Sequence, residues 1–240
     1  MQVSRSKIVI VTGATSGIGA AIARAFSASG AGVFLIGRNA QKLARAARRI
    51  PRRRLAGTAL ADLGSVPDVR QLLATISRRF RSVDVLVHAA GEYSWTEPGS
   101  LETDGFDLLF DVNVRAPYLL TQGVMPLLGR AKGQIIFLNS SVVRSPGQGV
   151  AAYKATQHAL QGLVESLRQD FNKRGIRVSS LFPGRVATPR MRRIYAKHNQ
   201  AYRPQILLRA DDVAQLVVAL SELPGRLEVT DVQLRSVTPY

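Results

Sequence analysis

The first chemistry legible in the chain is anion binding. Thr12-Gly13-Ala14-Thr15-Ser16-Gly17-Ile18-Gly19 stands between a short Val/Ile run and a stretch with helical spacing. Glycines let a backbone turn tightly and approach a ligand closely, and the helix that follows offers free N–H groups and a partial positive charge. That combination suits a pyrophosphate, so Gly13, Thr15, Ser16, Gly17, Ile18 and Gly19 are candidate contacts of a dinucleotide. A second run ends Phe34-Leu35-Ile36-Gly37-Arg38. A carboxylate at such a strand end would take the adenosine ribose hydroxyls and repel a 2′-phosphate. Here the place holds Gly37, followed by Arg38. A guanidinium pairs bidentately with a phosphate dianion, so the expected cofactor is NADP(H) rather than NAD(H).

Such a loop needs a sheet to position it. Strand-like runs fall at residues 7–12, 32–37, 55–61, 83–89, 134–139, 177–182 and 229–234. They are rich in Val, Ile and Leu and mostly lack polar alternation, which is how strands covered on both faces read. Helical patterns fill the gaps. The alternation predicts an α/β fold: a Rossmann-type, doubly wound, seven-stranded parallel sheet with helices on both faces, in a single domain over residues 1–240. Ser65-Val66-Pro67-Asp68 reads as a helix start, with an acid three residues after the cap. Residues 187–207, with Pro189, Pro204 and many basic side chains, read as an irregular flap over a site.

Composition narrows the classes. An apolar fraction of 46% over 240 residues is ample for a buried core. No apolar run approaches the length of about 18 residues that would span a membrane, and no secretory segment is evident, so a cytoplasmic location is expected. The cysteine count of 0 excludes disulfides, thiolate metal sites and a Cys nucleophile. His88, His158 and His198 have no metal-ligand spacing, so no metal site is expected. The net charge of +17 owes much to Arg45, Arg48, Arg49, Arg52, Arg53 and Arg54. A solvated arginine surface is the plainer explanation; an acidic partner is the functional one, with nucleic acid last because no recognition motif accompanies the charge.

The glycine spacing Thr-Gly-x-x-x-Gly-x-Gly resembles that of the short-chain dehydrogenase/reductase family, and further motifs of that family follow in order. Asp62-Leu63 stands where the family contacts adenine. His88-Ala89-Ala90-Gly91 replaces its Asn-Asn-Ala-Gly. Asn113, in Asp111-Val112-Asn113-Val114, matches its mid-helix asparagine. Ser140 and Tyr153, thirteen residues apart, match its Ser–Tyr pair, with Ser141 an alternative for the serine. Pro183-Gly184-Arg185-Val186-Ala187-Thr188 resembles the segment that holds the nicotinamide. The resemblance implies hydride transfer between a carbonyl/alcohol carbon and the nicotinamide. Tyr153 would exchange the proton, Ser140 would hold the substrate oxygen, and Asn113 would anchor a water that relays protons. Asp62, Leu63, Ala89, Ala90, Gly91, Tyr153, residue 157, Pro183, Gly184, Val186 and Thr188 would touch the cofactor. A homodimer or homotetramer is implied, built on helices around residues 103–128 and 151–173.

One member of the set departs. The family's Tyr-x-x-x-Lys is here Tyr153-Lys154-Ala155-Thr156-Gln157. Positions four apart lie about 40° from each other on a helix, so Gln157 can face the cofactor beside Tyr153; Lys154 lies about 100° away and cannot easily substitute. Gln157 can hydrogen-bond a ribose hydroxyl but carries no charge. A unit charge about 5 Å from the phenol, at an effective dielectric near 20, is worth about 3 kcal/mol, or about two pKa units, and its loss about a hundredfold in rate. Three readings stay open: a weakened or specialised enzyme, including a non-redox one on this fold; a substitution introduced to trap a complex; and a catalytically silent NADP(H)-binding sensor or scaffold. With Asn113, Ser140 and Tyr153 all in place, an NADP(H)-dependent carbonyl/alcohol oxidoreductase is favoured. Substrate-side candidates are Glu92, Tyr93, Trp95, Arg144, Arg185, Arg190, Arg192 and Arg193. Their arginines suit an anionic small molecule, and Arg130, Lys132 and Arg174 leave a carrier-bound substrate open.

Overall fold

Strands that are apolar at nearly every position need cover on both faces, and this fold supplies it. The computed structural model describes residues 6–95, 103–145 and 149–238. The chain runs β1 (Ile8–Val11), α1 (Gly17–Ala28), β2 (Gly32–Gly37), α2 (Ala40–Arg48), β3 (Leu55–Leu60), α3 (Val66–Arg79), β4 (Val85–His88), α4 (Thr103–Phe110), α5 (Ala116–Ala131), β5 (Gln134–Leu138), α6 (Ala151–Asn172), β6 (Arg177–Pro183), β7 (Val186–Ala187), α7 (Pro189–Lys197), β8 (Leu208–Arg209), α8 (Ala210–Glu222) and β9 (Asp231–Leu234). Among the described residues seven strands form one parallel sheet, ordered β3-β2-β1-β4-β5-β6-β9, and β7 pairs with β8 apart from it. This is the doubly wound sheet that the sequence predicts. Successive strand residues point to opposite faces. Ile10, Phe34, Leu86 and Phe137 accordingly pack on the side of α3, α5 and α6, while Val9, Leu35, Val87 and Ile136 pack on the side of α1 and α8.

Local signals set the helix starts. Ser65 Oγ accepts the Asp68 N–H at 3.3 Å, and the Asp68 carboxylate accepts in return from Ser65 Oγ (2.9 Å) and the Asp62 N–H (3.0 Å). Two expectations are corrected. Residues 187–207 are not irregular throughout, because α7 occupies nine of them. Thr188 caps α7 by accepting the Met191 N–H at 3.1 Å, and Pro189 fills the first helical position, where a missing N–H costs nothing. The helical run around residues 103–128 is not one regular helix either. Asp111–Arg115 form a π turn between α4 and α5. Pro117 follows it, and proline has no N–H to give to the carbonyl of Asn113 four residues earlier, so the regular ladder is interrupted at this point.

Candidate active site

The sheet order reverses between β1 and β4: the chain builds outward to β3 and then in the other direction to β9. Loops leaving the carboxyl ends of strands diverge at such a point and leave a crevice. Here it is a cavity of about 900 Å³.

The loop after β1 forms the floor. Gly13 has φ 64°, and a Cβ on it would stand 2.8 Å from the Ala90 backbone, so glycine is what lets the loops after β1 and β4 meet. Thr12 ties the same junction, since its Oγ1 accepts the N–H groups of Ala89 (3.0 Å) and Ala90 (3.1 Å) and donates to the Val87 carbonyl (3.3 Å). The Asn39, Ser65 and Thr188 side chains each cap their helix by accepting a backbone N–H, whereas Ser16, the cap residue of α1, makes no side-chain cap bond. Ser16, Gly17, Ile18 and Gly19 line the cavity, so the N-terminal amides of α1 are available to an anion.

At the adenosine end, a Cβ on Gly37 would meet Thr15 Cγ2, so any side chain there would require Thr15 to shift. Arg38 borders the cavity and pairs with the Glu92 carboxylate at 3.2 Å. Asp62 and Leu63 line the same end.

The reaction corner is braced by polar residues at strand ends. Asn139, after β5, accepts the Ser140 N–H with Oδ1 (2.7 Å) and donates with Nδ2 to the Gln157 carbonyl (3.1 Å), fixing the strand end against α6. Ser140 Oγ accepts the Val142 N–H at 3.2 Å, and Ser140 and Tyr153 line the cavity together. Burial pushes the Tyr153 phenol above its ordinary pKa, while the Ser140 bond and the charge of Arg190 pull it down. Asn113 joins three elements. Its Oδ1 accepts the Glu92 N–H (2.7 Å), its Nδ2 donates to the Glu92 carbonyl (3.0 Å) and to Thr156 Oγ1 (3.0 Å), and Thr156 donates to the Tyr153 carbonyl (2.7 Å). Gln157 is buried and lines the cavity with Tyr153. Lys154 donates instead to the Ser145 carbonyl at 2.8 Å.

His88, where the resemblance expects asparagine, is buried. It stacks on Phe137 (4.7 Å between centroids) and shares a hydrogen bond with Thr121 Oγ1 at 2.9 Å. Burial pushes its pKa down to about 3, so the ring is neutral at physiological pH. The loop after β4 and α7 form the roof. Tyr93 stands edge-on to Tyr153 at 5.0 Å, Trp95 packs against His198 at 4.8 Å, and Arg190 donates to the Gly91 carbonyl. Arg185 donates to the Tyr195 hydroxyl at 2.9 Å.

Every residue nominated from the sequence for cofactor or catalysis borders this one cavity, Ala89, Ala90, Gly91, Pro183, Gly184, Val186 and Thr188 among them. Of the substrate-side candidates, Arg144 and Arg192 are not part of its lining; Arg144 lies over the Phe182 ring at 5.3 Å instead. Sequence reasoning missed Thr12, Asn139 and Thr156. The first two carried a signal, a hydrogen-bonding residue closing an apolar strand. Thr156 carried none, because one threonine inside a helix is unremarkable.

The model of the short chain dehydrogenase family matches residues 7–199. The chain belongs to the short-chain dehydrogenase family. Among its relatives, an uncharacterised oxidoreductase of Staphylococcus epidermidis is 30% identical over 234 residues, covering 97% of this chain and 98% of that one. An alcohol dehydrogenase from the archaeon Thermococcus sibiricus, complexed with 5-hydroxy-NADP, superposes with a TM-score of 0.86 at 25% identity, over 98% of this chain and 99% of that one. A short chain dehydrogenase of Escherichia coli, complexed with NADPH, gives 0.85 at 28% identity, over 95% of each chain. The chain is thus an oxidoreductase of the short-chain type. Among the described residues no helix is long and apolar enough to cross a membrane.

Proposed function

We propose that this member of the family interconverts a carbonyl and an alcohol with NADP(H) as the cofactor. The observation that carries the reading is a single cavity holding Arg38, the open start of α1 and the Ser140–Tyr153 pair. The glycine contacts leave no room for a side chain where a pyrophosphate would run, and Arg38 supplies a cation for a 2′-phosphate, so the residues fit the group. NADP(H) supplies or accepts the hydride. Tyr153 gives its phenolic proton to the substrate oxygen in reduction and recovers one in oxidation, and Ser140 holds that oxygen by a hydrogen bond. Asn113, whose side chain is held by Glu92 and Thr156, anchors a relay water at the π turn. Gln157 binds a ribose hydroxyl. Arg185 and Arg193 at the far end support an anionic substrate, free or carrier-linked.

A homo-oligomer is part of the proposal, supported by exposed Phe106, Leu108 and Tyr118 along α4 and α5, and light scattering checks it. The reaction is tested by following NADPH consumption with neutral, carboxylated and carrier-linked carbonyls, each repeated with NADH. Turnover preferring NADPH and a carboxylated or carrier-linked compound is expected. The second reading, a silent NADP(H) binder, is favoured by a Tyr153 phenol raised by desolvation beside a buried, uncharged Gln157. Tight NADPH binding with no turnover of any carbonyl would establish it in place of the first.

A further inference from the structure

Helix α6 gives Tyr153 no cation. Gln157 is neutral, and Lys154 is committed to the Ser145 carbonyl at 2.8 Å. A cation arrives from another element. Helix α7 sends Arg190 to the loop after β4, where its guanidinium donates to the Gly91 carbonyl and lies 3.9 Å from the Glu92 carboxylate. Two residues beyond Gly91, the Tyr93 ring stands edge-on to the Tyr153 ring at 5.0 Å. Glu92 is bonded at both its N–H and its carbonyl to Asn113, so the wall that holds Arg190 is itself fixed to the reaction corner. Arg190, Ser140, Tyr153 and Gln157 line the same cavity.

We propose that Arg190 is a positioning residue that replaces the missing lysine, holding from α7 a fixed positive charge that stabilises the Tyr153 phenolate. The inference rests on the oxidoreductase reading above. The charge of Arg190 acts on Tyr153 against the effect of burial, as does the Ser140 hydrogen bond. The other ionisable groups facing this corner are Glu92, Tyr93 and Arg185. Glu92 lies nearer to Arg38 (3.2 Å) than to Arg190 (3.9 Å), so Arg190 is the looser of its two partners. Burial and the neighbouring Tyr153 push the Tyr93 phenol up, and the charge of Arg185 pulls it down.

In the oxidative direction the alcohol carbon gives its hydride to the oxidised nicotinamide, and the alcohol proton passes to the Tyr153 phenolate oxygen. The rate therefore rises with pH up to the Tyr153 pKa. At saturating NADP⁺, Arg190→Gln should move that limb upward by about one pH unit, slowing the reaction about tenfold at any pH below it. Arg190→Lys should keep most of the original profile. Gln157→Lys added to Arg190→Gln should return the limb, and should help more there than in the chain that retains Arg190. An Arg190→Gln enzyme whose limb stays in place, with only KM altered, would overturn the inference. Should Arg190→Gln fail to fold, as judged by NADPH binding, Gln157→Lys alone decides. A gain below about tenfold supports Arg190, and a gain near a hundredfold means that no other cation was acting. Should the native chain turn over nothing, the oxidoreductase reading fails. The inference is then read from tyrosine labelled with carbon-13 at Cζ, the Tyr153 signal being assigned with Tyr153→Phe: a higher phenol midpoint in Arg190→Gln supports it, and an unchanged midpoint overturns it.

Discussion

The two ends of the groove are built differently. The phosphate end is made largely of backbone: the Gly13 turn against Ala90 and the open N-terminus of α1. Its glycine loop is one consecutive segment, closed against the loop after β4 by backbone contact and the Thr12 hydroxyl. The reaction corner is made of side chains drawn from the ends of β4 and β5, the π turn before α5, and helices α6 and α7. A motif built from backbone tolerates little change. A site built from side chains can lose one charged group and draw a substitute from a neighbouring element. The difference shows how one end can retain the family pattern while the other departs from it at Gln157.

That contrast can be broken most directly at Tyr153. Tyr153→Phe should lower carbonyl reduction about a hundred- to ten-thousandfold through loss of the proton donor, while NADPH affinity, measured by fluorescence titration, stays within about threefold because the phosphate end is untouched. A comparable loss of NADPH affinity would mean that the two ends do not act separately. Arg38→Ala tests the other end. Losing a charge-assisted bond to the 2′-phosphate should weaken NADPH about ten- to a hundredfold and leave NADH nearly unchanged. Equal weakening of both would remove the basis for the NADP(H) preference.

His88 lies where the two ends join, and its prediction concerns stability. Its folded pKa is depressed from the ordinary 6.5 to about 3 by burial. Between those values the unfolded chain takes up a proton that the native protein refuses, so the stability contributed by neutral His88 is present above about pH 6.5 and is lost as pH falls. Lowering the pH from 7 to 5 should therefore cost the native protein about 2 kcal/mol more than His88→Asn, read from urea midpoints. Equal slopes for the two proteins would show that the ring is protonated when folded. The smallest effect is expected at Lys154. Lys154→Ala removes the bond to the Ser145 carbonyl and should change kcat less than about threefold, an effect under about 1 kcal/mol. A larger loss would place its ammonium in the chemistry after all.

Legibility in the sequence followed the same division. The central strands were readable to within a few residues because apolar runs report burial on both faces, as at residues 32–37 and 134–138, whereas the edge strands β3 and β9 are only partly covered. The glycine loop was readable because its strand, turn and helix are consecutive. The π turn at Asn113 was not read, although Pro117 was in plain view, because helical periodicity passes smoothly through one wide turn. The α7 helix was passed over because proline and basic residues suggest a loop, whereas Thr188-Pro189 is a cap followed by a first helical residue.

The sequence by itself determined the doubly wound sheet, the phosphate loop, the cation at Arg38 and the absence of lysine at position 157. Each of these depends on residue types within one short segment or on a single strand–helix unit, and local chemistry suffices to read them. The shared carboxylate of Glu92, the bracing of Asn139 on the Gln157 carbonyl and the arrival of Arg190 at the Gly91 carbonyl were decided only by the tertiary structure. Arg190 and Gly91 are 99 residues apart. Their meeting depends on where α7 crosses the end of β4, and no periodicity in either segment encodes that crossing.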